Sequence, residues 1–225
     1  MKLLALLFFP LLTFADMQKE RTEMVQVIKD YGIKDKNILK VMSSIPRHLF
    51  VPGYLKLAAY ADRPLPIGEG QTISQPYIVA YMTEQLNVSK KHIVLEIGTG
   101  SGYQAAVLGE LVKKVYTIEI VENLCKRSTK LLKKLNYKNV KVFCGDGYGG
   151  RPKYAPFDRI ILTAAPPKIP RPLIDQLAPN GLLIAPVGVG YQQIVIIKKD
   201  AKGKTVKSKL LPVRFVPMTG KAQDE

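Results

Sequence analysis

From residue 92 onward, short and almost wholly apolar runs alternate with helical stretches, and this alternation limits the fold more than any other feature. Residues 92–98 (HIVLEIG) form the first run and end on glycine, and a helical stretch follows from about residue 103 to 111. Residues 114–120 (KVYTIEI) form the second, ahead of a basic helix from about residue 122 to 135. Residues 140–147, 157–165 and 181–188 continue the rhythm. Runs this apolar are strands covered on both faces, which requires a parallel sheet with helices on either side. The last two runs, 192–199 and 209–217, flank the turn residues DAKGK and predict a hairpin added antiparallel to that sheet.

Before residue 92 the pattern is helical. Met24, Val27, Ile28 and Tyr31 share one helix face, and Gly32 ends it. Asp35 is placed to cap a second helix carrying Ile38, Leu39 and Met42, which must stop before Pro46. A third short helix fits around residues 55–59. Residues 64–76 (PLPIGEGQTISQP) are too long for a tight turn and predict an ordered loop or short strand pair. A helix then runs from Ser74-Gln75-Pro76 to about residue 86. At the amino terminus, residues 1–16 (MKLLALLFFPLLTFAD) resemble a bacterial secretory leader, with start-site choice at Met17 as the competing reading. With 1–16 set aside, residues 17–225 form one domain: a preface and loop (17–76), a core (77–190) and terminal strands (191–225).

The first strand runs into Glu96-Ile97-Gly98-Thr99-Gly100-Ser101-Gly102. Glycines at alternate positions let the backbone turn sharply and approach a ligand, at the amino end of a helix with free N–H groups. The bland alternative is an ordinary strand–helix turn. A dinucleotide fingerprint has its third glycine one place later, where this chain has Tyr103, which weakens a nicotinamide reading. Glu119 ends the second strand, where a carboxylate accepts hydrogen bonds from both ribose hydroxyls of a nucleoside.

With Gly145-Asp146-Gly147 further on, these residues resemble the S-adenosylmethionine-dependent methyltransferases. That resemblance implies a doubly wound, Rossmann-like α/β sheet, mostly parallel, with the antiparallel hairpin at its carboxyl end and the helices at its amino end. It also implies that Glu96 lies near the methionine end of the cofactor, that Glu119 holds the ribose, and that Asp146 with Gly147 meets the adenine. The class members that methylate base nitrogens carry a polar residue, two prolines and an aromatic after the fourth strand. Here Ala165-Pro166-Pro167-Lys168 keeps only the prolines, which argues against that chemistry.

Ile45-Pro46-Arg47, Pro66-Ile67-Gly68 and Gly70-Gln71-Thr72-Ile73-Ser74-Gln75-Pro76 narrow the resemblance to the protein L-isoaspartate (D-aspartate) O-methyltransferases. Thr163-Ala164-Ala165-Pro166-Pro167 and Val213-Arg214-Phe215-Val216-Pro217 fit the same family. The likeness covers about residues 20–220. It implies methyl transfer from S-adenosyl-L-methionine to the free carboxylate of isoaspartyl residues in damaged proteins, leaving S-adenosyl-L-homocysteine. The implied cofactor residues are Gln71, Ile73, Glu96, Gly98, Thr99, Gly100, Ser101, Gly102, Glu119, Ile120, Asp146 and Gly147. Ser74 is marked as catalytic, with Thr72 in the same pocket, and residues 213–217 are expected to pair with the substrate peptide or to be an edge strand. A Ser74 hydroxyl without a neighbouring histidine orients a carboxylate and does not attack. It is also placed to cap the helix that follows. The rival readings are a methyltransferase acting on RNA or a small molecule, and an inert binding protein or nicotinamide enzyme using the same turn.

The formal charge of +16 asks for a polyanion partner or a solubility explanation. The excess sits at 126–138 and 198–209, outside the expected pocket and without interleaved aromatics for stacking bases. A nucleic-acid partner is therefore not expected, nor a stable membrane association or a metal, and the chain reads as a monomer. His48 and His92 read as structural, and nothing in the sequence brings Cys125 and Cys144 together as a disulfide. The cofactor is cytosolic, so the location is read as cytoplasmic, with export through the leader as the alternative.

Overall fold

A computed structural model describes residues 14–224. The leader-like segment 1–16 falls outside the described residues except for its last three, which begin the first helix, α1 (Phe14–Asp30). Helix α2 (Lys36–Ser44) is capped as its sequence requires: the Asp35 carboxylate accepts the amides of Asn37 and Ile38 at 2.8 and 3.1 Å. Short 3₁₀ turns at Arg47–Phe50 and Gly53–Ala58 lead to strands β1 (Leu65–Gly68) and β2 (Gln71–Ile73), an antiparallel pair. Helix α3 (Pro76–Gln85) follows.

The core then alternates as expected: β3 (Ile93–Ile97), α4 (Tyr103–Leu111), β4 (Lys114–Glu119), α5 (Glu122–Lys134), β5 (Val140–Cys144) and β6 (Phe157–Leu162). A short helix α6 (Arg171–Asp175), absent from the sequence reading, precedes β7 (Leu177–Val187) and the hairpin β8 (Gln192–Lys199) and β9 (Thr205–Val213). The seven-stranded sheet has the order β5-β4-β3-β6-β7-β8-β9, parallel through β7 and antiparallel beyond it. The chain leaves β3 towards β4 on one side and later returns to β6 on the other. The open carboxyl end of β3 is therefore the switch point, where folds of this kind bind ligands. Alternate residues of β3 serve opposite faces: Val94 packs with the helices of the preface and α4, while Leu95 and Ile97 pack with Phe157, Leu162, Leu173 and Met218.

Two expectations need correction. The last strand is Thr205–Val213, not 209–217. After Val213 the Gln192 side chain replaces the ladder, accepting the Phe215 amide at 2.6 Å and donating to its carbonyl at 3.1 Å. The chain then crosses to the loop after β6, where Ala165 bonds both Val216 O and Met218 N, so beyond Val213 the segment is not an edge strand. The cysteines are also joined. Parallel pairing sets Cys144 opposite Glu119, and Cys125 lies one turn beyond Val121 on α5. Their Cα atoms are 5.6 Å apart across a disulfide. Peptide mapping of the unreduced protein should recover residues 125 and 144 linked. Replacing both by serine should lower the unfolding free energy by about 3 kcal/mol, the scale for a loop of this length. Unlinked peptides and an unchanged denaturation midpoint would contradict the bridge.

Candidate active site

The turn after β3 is built around Gly98. Its φ is +97°, and a Cβ there would stand 2.4 Å from the Thr163 hydroxyl, which itself donates to Ile97 O and Gly98 O. Only glycine satisfies both the backbone angle and that contact. The amides of Gly98 and Thr99 donate to Ile118 O at 2.8 and 3.2 Å, locking the turn to the end of β4. The Thr99 and Thr117 hydroxyls meet at 2.6 Å beneath it, and Ser101 accepts the Tyr103 amide at the start of α4.

Glu119 closes β4 beside this turn. One carboxylate oxygen accepts the Gly100 amide at 2.6 Å and the other the Val121 amide at 2.9 Å. Each oxygen keeps a further lone pair for a ligand hydroxyl. The turn, the β2 loop and the strap of residues 216–219 enclose a cleft of about 780 Å³ of empty space, open to solvent. It brings together Gln71, Thr72, Ile73, Ser74, Gly98, Thr99, Gly100, Ser101, Glu119, Ile120 and Gly147, all expected from the sequence. Among the described residues, Glu119 is the one charged side chain lining it. A pyrophosphate would find no cation there, whereas a nucleoside carrying a sulfonium fits both the acid and the apolar walls.

Three expected residues stand behind the cleft. Gly102 ends the turn with φ +88° and shapes it from outside. Asp146 accepts the amides of Tyr148 at 2.8 Å and Lys221 at 3.0 Å, so its carboxylate fastens the carboxyl-terminal strap. Glu96 is fully buried under the turn, and neither of its oxygens makes a hydrogen bond of good geometry, although Thr117 lies beside it. Burial pushes its carboxyl up to about 8, with the Glu119 charge adding to the rise and Thr117 opposing it.

A second cleft, about 550 Å³, adjoins the first and is lined by Pro64, Gln75, Ile78 and residues 212–216. The two share Thr72, Ser74, Thr163 and Val216. Ser74 does not cap α3. That task falls to Asp62, which the sequence reading missed: its carboxylate accepts the Tyr77 amide and the Gln75 side-chain amide, both at 2.8 Å. The Ser74 carbonyl accepts from Arg47 at 2.8 Å, and among the described residues its hydroxyl has no hydrogen bond. Thr163 and Arg47 appeared in the sequence only as motif members, and nothing local pointed to Asp62, 12 residues before Ser74. His48 meets the Tyr60 hydroxyl at 2.7 Å and His92 accepts the Ser89 amide. Burial lowers the pKa of both imidazoles, and neither lines a cleft.

A sheet in this order, with a glycine turn after β3 and an acid ending β4 at the switch point, defines an S-adenosylmethionine-dependent methyltransferase. The sequence profile of the protein-L-isoaspartate(D-aspartate) O-methyltransferases matches residues 18–223, and the chain belongs to that family. It is 53% identical over 188 residues to protein-L-isoaspartate O-methyltransferase 2 of Syntrophobacter fumaroxidans, covering 83% of this chain and 76% of that one. It is 52% identical to the protein-L-isoaspartate O-methyltransferase of Gloeobacter violaceus, covering 88% and 97%. A solved protein-L-isoaspartate O-methyltransferase superposes with TM-score 0.83 at 30% identity, over 90% of this chain and 67% of that chain. A Plasmodium falciparum β-aspartate methyltransferase structure holding S-adenosyl-L-homocysteine gives 0.77 at 26% identity, over 88% and 98%.

Between the ordinary carboxyl value of 4.5 and about 8, folded Glu96 keeps a proton that the unfolded chain releases. Its contribution to stability therefore falls as pH rises through that window and levels off above it. Glu96→Gln removes this slope. The stability of the variant relative to the parent should rise from pH 5 to pH 8, by about 1.4 kcal/mol per pH unit at the steepest. Parallel stability–pH profiles in chemical denaturation would show that Glu96 is ionised in the fold.

Proposed function

We propose that this chain repairs damaged proteins by methylating the free carboxylate of L-isoaspartyl, and D-aspartyl, residues, with S-adenosyl-L-methionine as donor and S-adenosyl-L-homocysteine as product. The observation that carries the reading is the wall common to the two clefts, where Ser74 and Thr72 face both a nucleoside-sized site and a peptide-sized one. Membership of the family supports it.

When bound, the cofactor supplies a methyl group on a sulfonium that departs as a neutral thioether. A carboxylate is already ionised at neutral pH, so the chain has no proton to remove from the nucleophile. Its tasks are to hold, orient and dry the anion. The Ser74 hydroxyl, free of capping and of internal bonds, donates to one carboxylate oxygen and aims the other across the shared wall. Thr72 borders the same position. Ile78, Phe215 and Val216 supply apolar surface that excludes water, and an anion meeting a cation gains from that dryness because charge disappears in the transition state. Ile73, Ile97 and Ile118 flank the first cleft, and Glu119 takes the ribose hydroxyls there.

We read the enzyme as acting as a monomer. No described helix is long and apolar enough to cross a membrane. We assign the activity to the cytoplasm, where the donor is made. The Cys125–Cys144 bridge is the feature that favours export, since such bridges persist in oxidising compartments. The basic stretches on α5 and the β8–β9 hairpin line neither cleft, so RNA is not proposed as a substrate.

Paired peptides differing only in aspartyl or isoaspartyl linkage, incubated with methyl-labelled S-adenosylmethionine, should give base-labile label on the isoaspartyl member alone. Equal labelling of both, or none, would refute the reading. Ser74→Ala should reduce kcat/KM by about 10- to 100-fold, the scale of one hydrogen bond to a charged group. Its affinity for S-adenosylhomocysteine should stay near the parent value, and undiminished turnover would remove Ser74 from the reaction.

A further inference from the structure

Arg47 is fully buried, yet no carboxylate pairs with it among the described residues. Nε donates to Ala59 O and Nη2 to Ser74 O, each at 2.8 Å, and among the described residues Nη1 has no hydrogen bond of good geometry, although Tyr103 lies beside it. The guanidinium lies over the Tyr103 ring, 4.7 Å from its centre. Asp62 acts on it through space without a direct ion pair, while its carboxylate oxygens accept two neutral amides at the start of α3. One cation thus joins the preface, the Ser74 loop and the first residue of α4, and Tyr103 itself borders the cofactor cleft.

Buried charges are normally paired, because an unpaired one is costly. A pure staple between Ala59 and Ser74 needs two donors but no charge. Placed one hydrogen bond from Ser74, a guanidinium offset only through space by Asp62 and in no direct ion pair still attracts an anion at the shared wall, and the surrounding low dielectric strengthens that attraction. Its planar fork holds two carbonyls in fixed relation, which a lysine ammonium on a flexible stem does not reproduce.

We propose that Arg47 is a positioning residue for carboxylate methylation: its fork fixes the Ser74 backbone so that the hydroxyl meets the acceptor, and its positive charge helps draw the acceptor anion to that wall. This rests on the carboxyl-methylation reading above. The fork and the charge separate in two variants, since Arg47→Lys keeps the charge and loses the fork, and Arg47→Met loses both.

The test measures kcat and KM on an isoaspartyl peptide, the Kd for S-adenosylhomocysteine, and the melting temperature with that ligand saturating. Arg47→Lys should fold, bind S-adenosylhomocysteine within about threefold of the parent, and lose roughly tenfold in kcat with KM little changed. Arg47→Met should add a rise of roughly tenfold in peptide KM. Unchanged kinetics in folded variants, or losses that merely follow cofactor affinity or melting temperature, would overturn the proposal. An Arg47→Lys protein that does not fold would also overturn it, making the residue a staple; if only Arg47→Met fails to fold, the lysine variant decides. A parent protein inactive on isoaspartyl peptide would instead overturn the activity on which the proposal stands, a result the variants do not produce.

Discussion

The end of β3 is held by the end of β4. The Gly98 and Thr99 amides reach Ile118 O, and Glu119 answers by accepting the Gly100 amide at 2.6 Å. This clasp keeps the glycine turn open at the point where neighbouring strands diverge. Without it the first turn of α4 would have no fixed relation to the acid that ends β4, and the floor of the cleft would be lost. Placement of the β2 loop, the strap and the shared wall is useful only because that floor is rigid. The cost of rigidity is visible at Glu96, a carboxyl shut in beneath the turn and held protonated far above its usual range.

The surface charge and the site have separate logics. A chain of +16 presents its cations on α5, the hairpin and scattered loops. The first cleft contains one charged group, an acid, and the second one, Arg214. Arg47, hydrogen-bonded to the Ser74 carbonyl, is fully hidden from water. Long-range attraction and local recognition are thereby assigned to different residues.

The parallel core was legible because strands buried on both faces leave continuous apolar runs. The same criterion failed at the edge. Residues 205–208 of β9 (TVKS) are exposed and carry a single apolar side chain, Val206, so no apolar run marks them and the strand begins four residues earlier than the sequence pattern predicts. Helix α6 is only five residues long and begins Arg171-Pro172, too short to show periodicity. Of the site, the residues on contiguous motifs were readable: the turn, Glu119, and the segment from Gln71 to Ser74. What depended on register or on distant partners was not. The cysteine pair follows from the β4–β5 register, and Asp62 becomes the cap of α3 only once the preface has folded. Asp146 likewise takes an amide 75 residues further on.

The strap formed by the last part of the chain is wall as well as tail. Val216, Pro217, Met218 and Thr219 border the first cleft, Met218 and Ala222 are packed into the core beneath the sheet, and Asp146 fastens the backbone at Lys221. The pocket is therefore assembled from segments far apart along the chain. The turn and its acid lie within residues 98–119, and the strap that encloses them within residues 216–219. A ligand filling the cleft would touch both, so occupancy would pin the strap to the sheet as a second tether beside Asp146.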